Sequence, residues 1–262
     1  MAMHYSYQNL ELYLVPLRRD NYSYVIHDRA KNKTLVIDPS ETEALISFLN
    51  QHKFGLDLII DTHHHDDHTE GNIGLQKTFD SAIVCSDYDH EKNRIPGKVR
   101  QTLRDGDTLA FSDYNFLVYS TPGHTLGHIC LLLEGANWLF CGDTLFALGC
   151  GRLFEGDPTT MWDSFKKLRA LPDDSLVFCG HEYTLANARF AEEIAPQIPG
   201  LHAYVESQKK RQATEGRTVP SRLADEKTFN PFFLADSPIM SRLGSSPDEI
   251  FKAIRKQKDN FQ

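Results

Sequence analysis

Six consecutive residues, His63-His64-His65-Asp66-Asp67-His68, constrain this chain more than any other feature. They contain the pattern His-x-His-x-Asp-His and follow closely on Leu56-Asp-Leu-Ile-Ile, an apolar run that reads as a strand. Zinc and related ions take imidazole nitrogen and carboxylate oxygen, and two histidines two apart at a strand end can both turn toward one ion. Asp67 and His68 then face another direction, so one short segment can serve two ions. The bland alternative, a solvated polyhistidine-like tract, predicts no attachment to a strand and no distant partners. Partners of the right type stand at the ends of three later apolar runs: Thr121-Pro-Gly-His124, Leu139-Phe-Cys-Gly-Asp143 and Val177-Phe-Cys-Gly-His181. Ligands at successive strand ends converge at one edge of a sheet, where loops carry function on a rigid scaffold. The glycine before each of His124, Asp143 and His181 permits a sharp turn or a close backbone approach. Tract and partners read together as a metal site.

Composition narrows what such a site serves. The 262 residues are 40% hydrophobic and 24% charged, which is ordinary for a folded chain and excludes disordered, collagenous and coiled-coil readings. A single core stops growing near roughly 250 to 300 residues, so one large domain with a smaller appendage is expected. No run of about 18 apolar residues is present, so no membrane span is expected. Met1 to Leu10 shows no basic segment leading into an apolar one, which argues against a secretory leader and leaves the cytoplasm as the default. Twenty-eight basic against 36 acidic residues leave a net charge of −8, which argues against a nucleic-acid partner held by counterion release. The five cysteines include no Cys-x-x-Cys pair and read as reduced, mostly buried thiols.

Strands are expected near 10–15, 22–26, 34–37, 56–60, 82–85, 115–120, 129–133, 138–141 and 175–179. Helices intervene, one opened at Ser40 by a capping box with Glu43, one near 70–79, and one over 158–170 with Asp157 as cap and Pro158 at its first position. Beyond about residue 183 strand patterns fade, helices are expected over 186–195 and 204–217, and Asn230-Pro-Phe-Phe-Leu reads as an apolar loop or anchor. Ser246-Pro-Asp-Glu249 is a second capping box that starts a final helix. The reading is an α+β chain of sheets packed inside helical layers. It divides into a catalytic domain over 1–178 and a small helical domain over 179–262.

Thr62-His63-x-His65-x-Asp67-His68, followed in order by His124, Asp143 and His181, resembles the metallo-β-lactamase superfamily. Within it the chain is most similar to the hydroxyacylglutathione hydrolase (glyoxalase II) family. Further matches are Asp20-Asn21-Tyr22, Asp38-Pro39, Gly142-Asp-Thr-Leu-Phe146, Gly149-Cys-Gly-Arg152, Gly180-His-Glu-Tyr-Thr184 and the closing Arg255-Lys-Gln-Lys258-Asp-Asn-Phe261. The resemblance implies an αββα sandwich with a C-terminal helical domain. It implies that His63, His65 and His124 bind one divalent ion, that Asp67, His68 and His181 bind a second, and that Asp143 bridges them. Zinc is favoured, with iron or manganese also compatible with nitrogen and oxygen ligands. Asp38 is expected behind the ligands or in a turn, and His64, Asp66 and His128 lie off the motif.

The implied reaction is hydrolysis of S-(2-hydroxyacyl)glutathione thioesters, chiefly S-D-lactoylglutathione, by a hydroxide shared between the two ions, the second step of methylglyoxal detoxification. Asp67 and Asp143 are the carboxylates closest to that chemistry. A thiolate leaves readily, so no Ser-His-Asp constellation is needed, and no Gly-x-Ser-x-Gly elbow is present. Arg255 and Lys258 are three apart on the last helix and so share a face. The resemblance makes them the grip on the glycine carboxylate of glutathione, whereas spacing alone favours a solvated helix end. Tyr183 is either a donor to the substrate's peptide backbone or a buried aromatic. Relatives often have lysine where this chain has Arg152, and some have tyrosine where it has Phe154, which predicts weaker glutathione binding. A mononuclear-iron glutathione persulfide dioxygenase and a non-catalytic metal-clamped binding module are the alternatives. The chain is expected to be monomeric.

Overall fold

Runs of valine, isoleucine and leucine pair the first hundred residues into one seven-stranded sheet, β1 to β7 in chain order. The computed structural model describes residues 3–261. Residues 1 and 2 of the N-terminal segment, where no leader is expected, lie outside them. The chain divides into two compact units, Met1–Ser120 with Gly127–Ala136 and Thr121–Leu126 with Asn137–Gln262.

In the first unit, β1 (Met3–Tyr7), β2 (Leu10–Leu17), β3 (Asn21–Asp28) and β4 (Lys33–Ile37) form an antiparallel meander. Parallel pairing follows through β5 (Leu58–Ile60), β6 (Ala82–Ser86) and β7 (Val99–Leu103). Parallel neighbours need crossovers, and helices supply them: α1 (Thr42–His52) before β5, α2 (Asp66–Thr69) and α3 (Asn72–Phe79) before β6, and α4 (Asp87–Glu91) before β7. Leu45 and Leu49 of α1 and Leu75 of α3 pack on Val25, Val36, Ile59 and Ile83, which line one face of the sheet in register. The alternate residues Tyr24, Ile26, Leu35, Ile37, Ile60 and Val84 are buried as well. The sheet is therefore covered on both faces, as a layered α+β chain requires. A second, antiparallel set, β8 (Thr108–Phe111), β9 (Tyr114–Ser120) and β10 (Ile129–Leu133), completes the unit.

In the second unit, β11 (Trp138–Gly142) leads into a ribbon of two-residue strands, β12 (Leu145–Phe146) and β13 (Gly149–Cys150). Next come α5 (Pro158–Arg169), β14 (Leu176–Cys179), which pairs parallel to β11, then α6 (Thr184–Ile194) and α7 (Leu201–Glu215). β15 (Ser221–Arg222) adds antiparallel to β14, a short strand in a stretch where none is expected from sequence. α8 (Leu223–Phe229), a 3-10 turn over Pro238–Leu243 and α9 (Pro247–Asp259) end the chain. The Asn230-Pro-Phe-Phe segment is an anchor: Phe232 and Phe233 are fully buried, against the Phe165 and Phe251 rings of α5 and α9. Each contributes about 1.5–3 kcal/mol of apolar burial.

Two of the three expected caps form. Asp157 accepts the Thr160 N–H at 2.8 Å, and Ser246 accepts that of Glu249 at 3.3 Å. In the second box Glu249 accepts the N–H of Ser245 at 2.9 Å, one residue before the cap. Ser40 does not cap α1, whose N-cap is Glu41. The Ser40 N–H donates to Ser23 Oγ and its hydroxyl faces the carbonyl of Asp38, so a buried cluster with β3 has taken the group that a cap would use.

Candidate metal centre and substrate cleft

The first unit presents four of the seven candidate ligands. The tract leaves β5, and His65, with extended backbone, is the N-cap of α2, so Asp67 and His68 lie in that helix's first turn. The chain passes from strand to helix inside the tract, yet the His63 and His68 rings stay 4.2 Å apart centre to centre, so the two pairs are not turned away from each other as the spacing predicts. His63 Nε2 lies 3.1 Å from His65 Nδ1, and His68 Nε2 lies 3.7 Å from Asp67 Oδ2. Asp38 accepts the Thr62 N–H and hydroxyl at 2.7 Å each and faces His68 Nδ1 at 2.9 Å. A carboxylate against Nδ1 sets the tautomer and ring angle that present Nε2 to a cation. Asn21 similarly donates to Asp67 Oδ2 at 3.0 Å. The off-motif residues have other neighbours. The His128 ring stacks on that of His63 at 4.9 Å, His64 Nδ1 lies 3.3 Å from the buried Asp89 carboxylate, and Asp66 is exposed. Asp38→Asn keeps the side-chain shape and tolerates the residue's left-handed φ of 52°, but it places an amide where His68 needs an acceptor. It is expected to weaken metal affinity by about 10- to 100-fold with the far-UV circular dichroism unchanged, measured by chelator competition.

The second unit presents His124, Asp143 and His181. Gly142 leaves β11 with φ +43°, and Gly123 has φ +152°, conformations that admit glycine with least strain. Gly180 does not have a positive φ; its N–H donates to the Gly142 carbonyl at 2.9 Å, tying the turn before His181 to the turn before Asp143. Asp143 Oδ2 then lies 3.5 Å from His124 Nε2 and 3.4 Å from His181 Nε2. Both spacings exceed a good hydrogen bond. They match the roughly 3.3 Å edge of a tetrahedron whose metal–ligand bonds are about 2.0–2.1 Å. One carboxylate oxygen between two imidazole nitrogens therefore fits a cation on either side. His124 Nδ1 donates to the Arg152 carbonyl at 2.8 Å, which makes Nε2 the ring atom that could face a cation.

A cleft of about 350 Å³ opens in this unit, and His124, Asp143, Arg152, Tyr183, Arg255 and Lys258 are among the residues that line it. Tyr183 stacks flat on the His181 ring at 4.7 Å. Lys258 Nζ lies 5.2 Å from the Phe190 ring centre and 5.3 Å from that of Phe261. Its pKa is pushed down to about 8, mainly by burial and further by the charges of Arg255 and Arg189. Arg255 is buried, with every guanidinium nitrogen engaged inside the protein: Nη1 donates to the Cys150 carbonyl at 2.6 Å, while Nε and Nη2 meet Asp259 at 3.1 and 2.9 Å. Arg152 is largely exposed, and Phe154, 60% exposed, sets its ring 5.3 Å from that of His124. Sequence reasoning missed Phe146 and Asn187, which also line this cleft. Phe146 closes the Gly142-Asp-Thr-Leu-Phe146 match and Asn187 falls in the helix expected over 186–195, but neither signal assigns the side chain to a site.

The model of the metallo-beta-lactamase superfamily matches residues 17–181, and that of the hydroxyacylglutathione hydrolase C-terminus matches residues 182–261. The chain is 42% identical over 250 residues to the hydroxyacylglutathione hydrolase of Maricaulis maris, which covers 94% of this chain and 96% of that one. It is 44% identical over 263 residues to that of Brucella canis, covering 99% of this chain and 100% of the other. Among solved structures, the BLEG-1 B3 metallo-beta-lactamase superposes with a TM-score of 0.65 at 22% identity, over 85% of this chain and 99% of that one, a likeness of fold. With both models matched end to end and full-length relatives above two-fifths identity, the chain belongs to the hydroxyacylglutathione hydrolase family of the metallo-β-lactamase superfamily and has that superfamily's layered fold.

Proposed function

We propose that this chain hydrolyses S-(2-hydroxyacyl)glutathione thioesters, S-D-lactoylglutathione foremost, to glutathione and the 2-hydroxy acid. The observation that carries the reading is the cleft itself, whose lining combines two metal-type side chains, His124 and Asp143, with the cations Arg152, Arg255 and Lys258. His63, His65 and His124 would hold one divalent ion, Asp67, His68 and His181 a second, and Asp143 both, with zinc the proposed metal. Bound in such a set, two divalent cations lower the pKa of a shared water and polarise a carbonyl.

The chain's own residues do the rest. Asp38 and the Arg152 carbonyl orient His68 and His124, so that each ring offers one nitrogen in a fixed direction. Lys258 and Arg152 take the carboxylates of glutathione, and Arg255, whose fork is held by Asp259 and Cys150, adds its charge to the floor of the cleft. Tyr183, braced by His181, donates its hydroxyl to the substrate's peptide backbone. Residues 1–178 then hold six of the seven proposed metal ligands and 179–262 most of the glutathione contacts, with His181 and Arg152 the exceptions. The departing thiolate needs no proton donor. Among the described residues no helix is long and apolar enough to cross a membrane, and the five buried cysteines form no disulfide, which suits a reducing compartment. We place the enzyme in the cytoplasm as a monomer with no nucleic-acid partner.

The test is anaerobic hydrolysis of S-D-lactoylglutathione by metal-assayed protein, with the coenzyme A thioester alongside. Rapid, oxygen-independent loss of the glutathione thioester with two ions per chain is expected. Silence there, with oxygen uptake on glutathione persulfide and one iron per chain, would replace hydrolysis with dioxygenation. Phe154→Tyr restores a hydroxyl at the cleft wall and is expected to lower KM about 2- to 10-fold, the worth of one hydrogen bond. An unchanged KM would show the hydroxyl to be irrelevant.

A further inference from the structure

The β12–β13 ribbon is too short to hold itself, since its only pairs are Leu145 with Cys150 and Phe146 with Gly149. Its turn places Leu148 at φ +56°, a conformation that leucine adopts only where its surroundings impose it. The surroundings are four side chains from the helices that follow. Asn187 Nδ2 donates to the Ala147 carbonyl at 3.1 Å. Glu226 Oε2 accepts the Leu148 N–H at 2.8 Å. Asn230 Nδ2 donates to the carbonyls of Phe146 and Gly149 at 3.3 and 3.0 Å and to Glu226 Oε2 at 3.0 Å. Arg255 takes the carbonyls of Cys150 and Gly151. A main-chain group of every residue from 146 to 151 is gripped in this way.

The ribbon in turn carries the cleft. Phe146 and Cys150 line it, and the Phe146 ring meets that of Tyr183 edge-on at 5.2 Å. Gly151 donates its N–H to the Thr144 carbonyl at 3.1 Å, and it comes so close to Asp143 that a Cβ there would lie 1.8 Å from the Asp143 carbonyl oxygen. A fully buried acid remote from the reacting atoms is costly unless its hydrogen bonds are needed. Burial pushes the Glu226 carboxyl up to about 7 even against the bonds from Ser221, Leu148 and Asn230.

We propose that Glu226 and Asn230 are positioning residues for the reaction: together they fix the β12–β13 ribbon, and so place the wall against which the glutathione moiety lies. The proposal rests on the hydrolase reading above. Glu226→Gln keeps an oxygen for Leu148 and Asn230, whereas Glu226→Leu removes it at similar volume. On the metal-replete full chain, Glu226→Leu is expected to raise KM for S-D-lactoylglutathione about tenfold with kcat within about threefold, and to weaken glutathione binding by calorimetry to the same extent. Glu226→Gln is expected to keep both constants within about twofold of the parent. Should Glu226→Leu fail to fold, Asn230→Ser, which releases the Phe146 and Gly149 carbonyls, is expected to give the same shift. A lower melting temperature with KM and the glutathione Kd unchanged would overturn the proposal and leave these residues a role in stability alone. Parent protein inactive on the thioester would sink the hydrolase reading instead, and the glutathione Kd of the variants would still decide the placement of the wall.

Discussion

Asp143→Asn is expected to lower kcat/KM for S-D-lactoylglutathione by about a thousandfold or more, equivalent to about 4 kcal/mol of transition-state stabilisation. The same substitution should leave the protein short of metal after dialysis. The Asp143 Oδ2 atom lies at nearly equal distances from His124 Nε2 and His181 Nε2, so in the proposed site one atom would serve both ions. Asparagine keeps the shape but removes the charge, and its amide turns a donor toward a cation if it flips. Either arrangement weakens both halves of the centre at once, unlike the loss of a single histidine, which weakens one. Elemental analysis and steady-state kinetics on the same preparation check it. Two ions retained with near-normal turnover would remove Asp143 from the shared position.

Lys258→Met keeps the apolar stem between Phe190 and Phe261 and deletes the ammonium. KM is expected to rise about 10- to 100-fold, the worth of a charge-assisted contact of about 1.5–3 kcal/mol, with kcat nearly unchanged. The pH profile follows from the direction of the pKa shift. Burial and the neighbouring arginines favour the neutral amine, so Lys258 is charged below about pH 8 and loses its proton above it. An anion binds the charged form, so the parent's KM should climb above about pH 8 while that of the methionine variant stays flat. An alkaline rise of the same size in both proteins would assign the titration elsewhere.

The metal half of this molecule was legible because its signal is local. A strand hands the chain straight into the tract, and glycines precede the three partners, so residue type and spacing suffice. The helix starts at Asp157 and Ser246 were legible for the same reason, a side chain capping an N–H three residues on. The cap expected at Ser40 failed because Ser23, brought in through the sheet from 17 residues away, and the Asp38 carbonyl just before it take its polar groups. The β12–β13 ribbon was not legible, since two-residue strands have no period and the groups that hold it come from far along the chain, Asn187 from 40 residues beyond Ala147 and Arg255 from 105 beyond Cys150. The Arg255–Asp259 pair, by contrast, is local, one turn apart on the same helix, whereas the hold of Arg255 on the Cys150 carbonyl spans 105 residues.

Residues 152 to 154 touch His124 through main-chain atoms: the Arg152 carbonyl takes its Nδ1, and the Phe154 N–H donates to its carbonyl at 3.2 Å. The main chain thus carries the hydrogen bonds that orient His124, and the Phe154 ring adds an edge-on contact that a tyrosine would keep. Mutation at these two sites can exchange one cation for another, or add and remove a hydroxyl, without turning the imidazole. Selection can therefore retune what the cleft accepts while the metal chemistry stays as it is, and relatives of this chain should diverge at these positions sooner than at Gly151 or Gly123, where the backbone itself is the constraint.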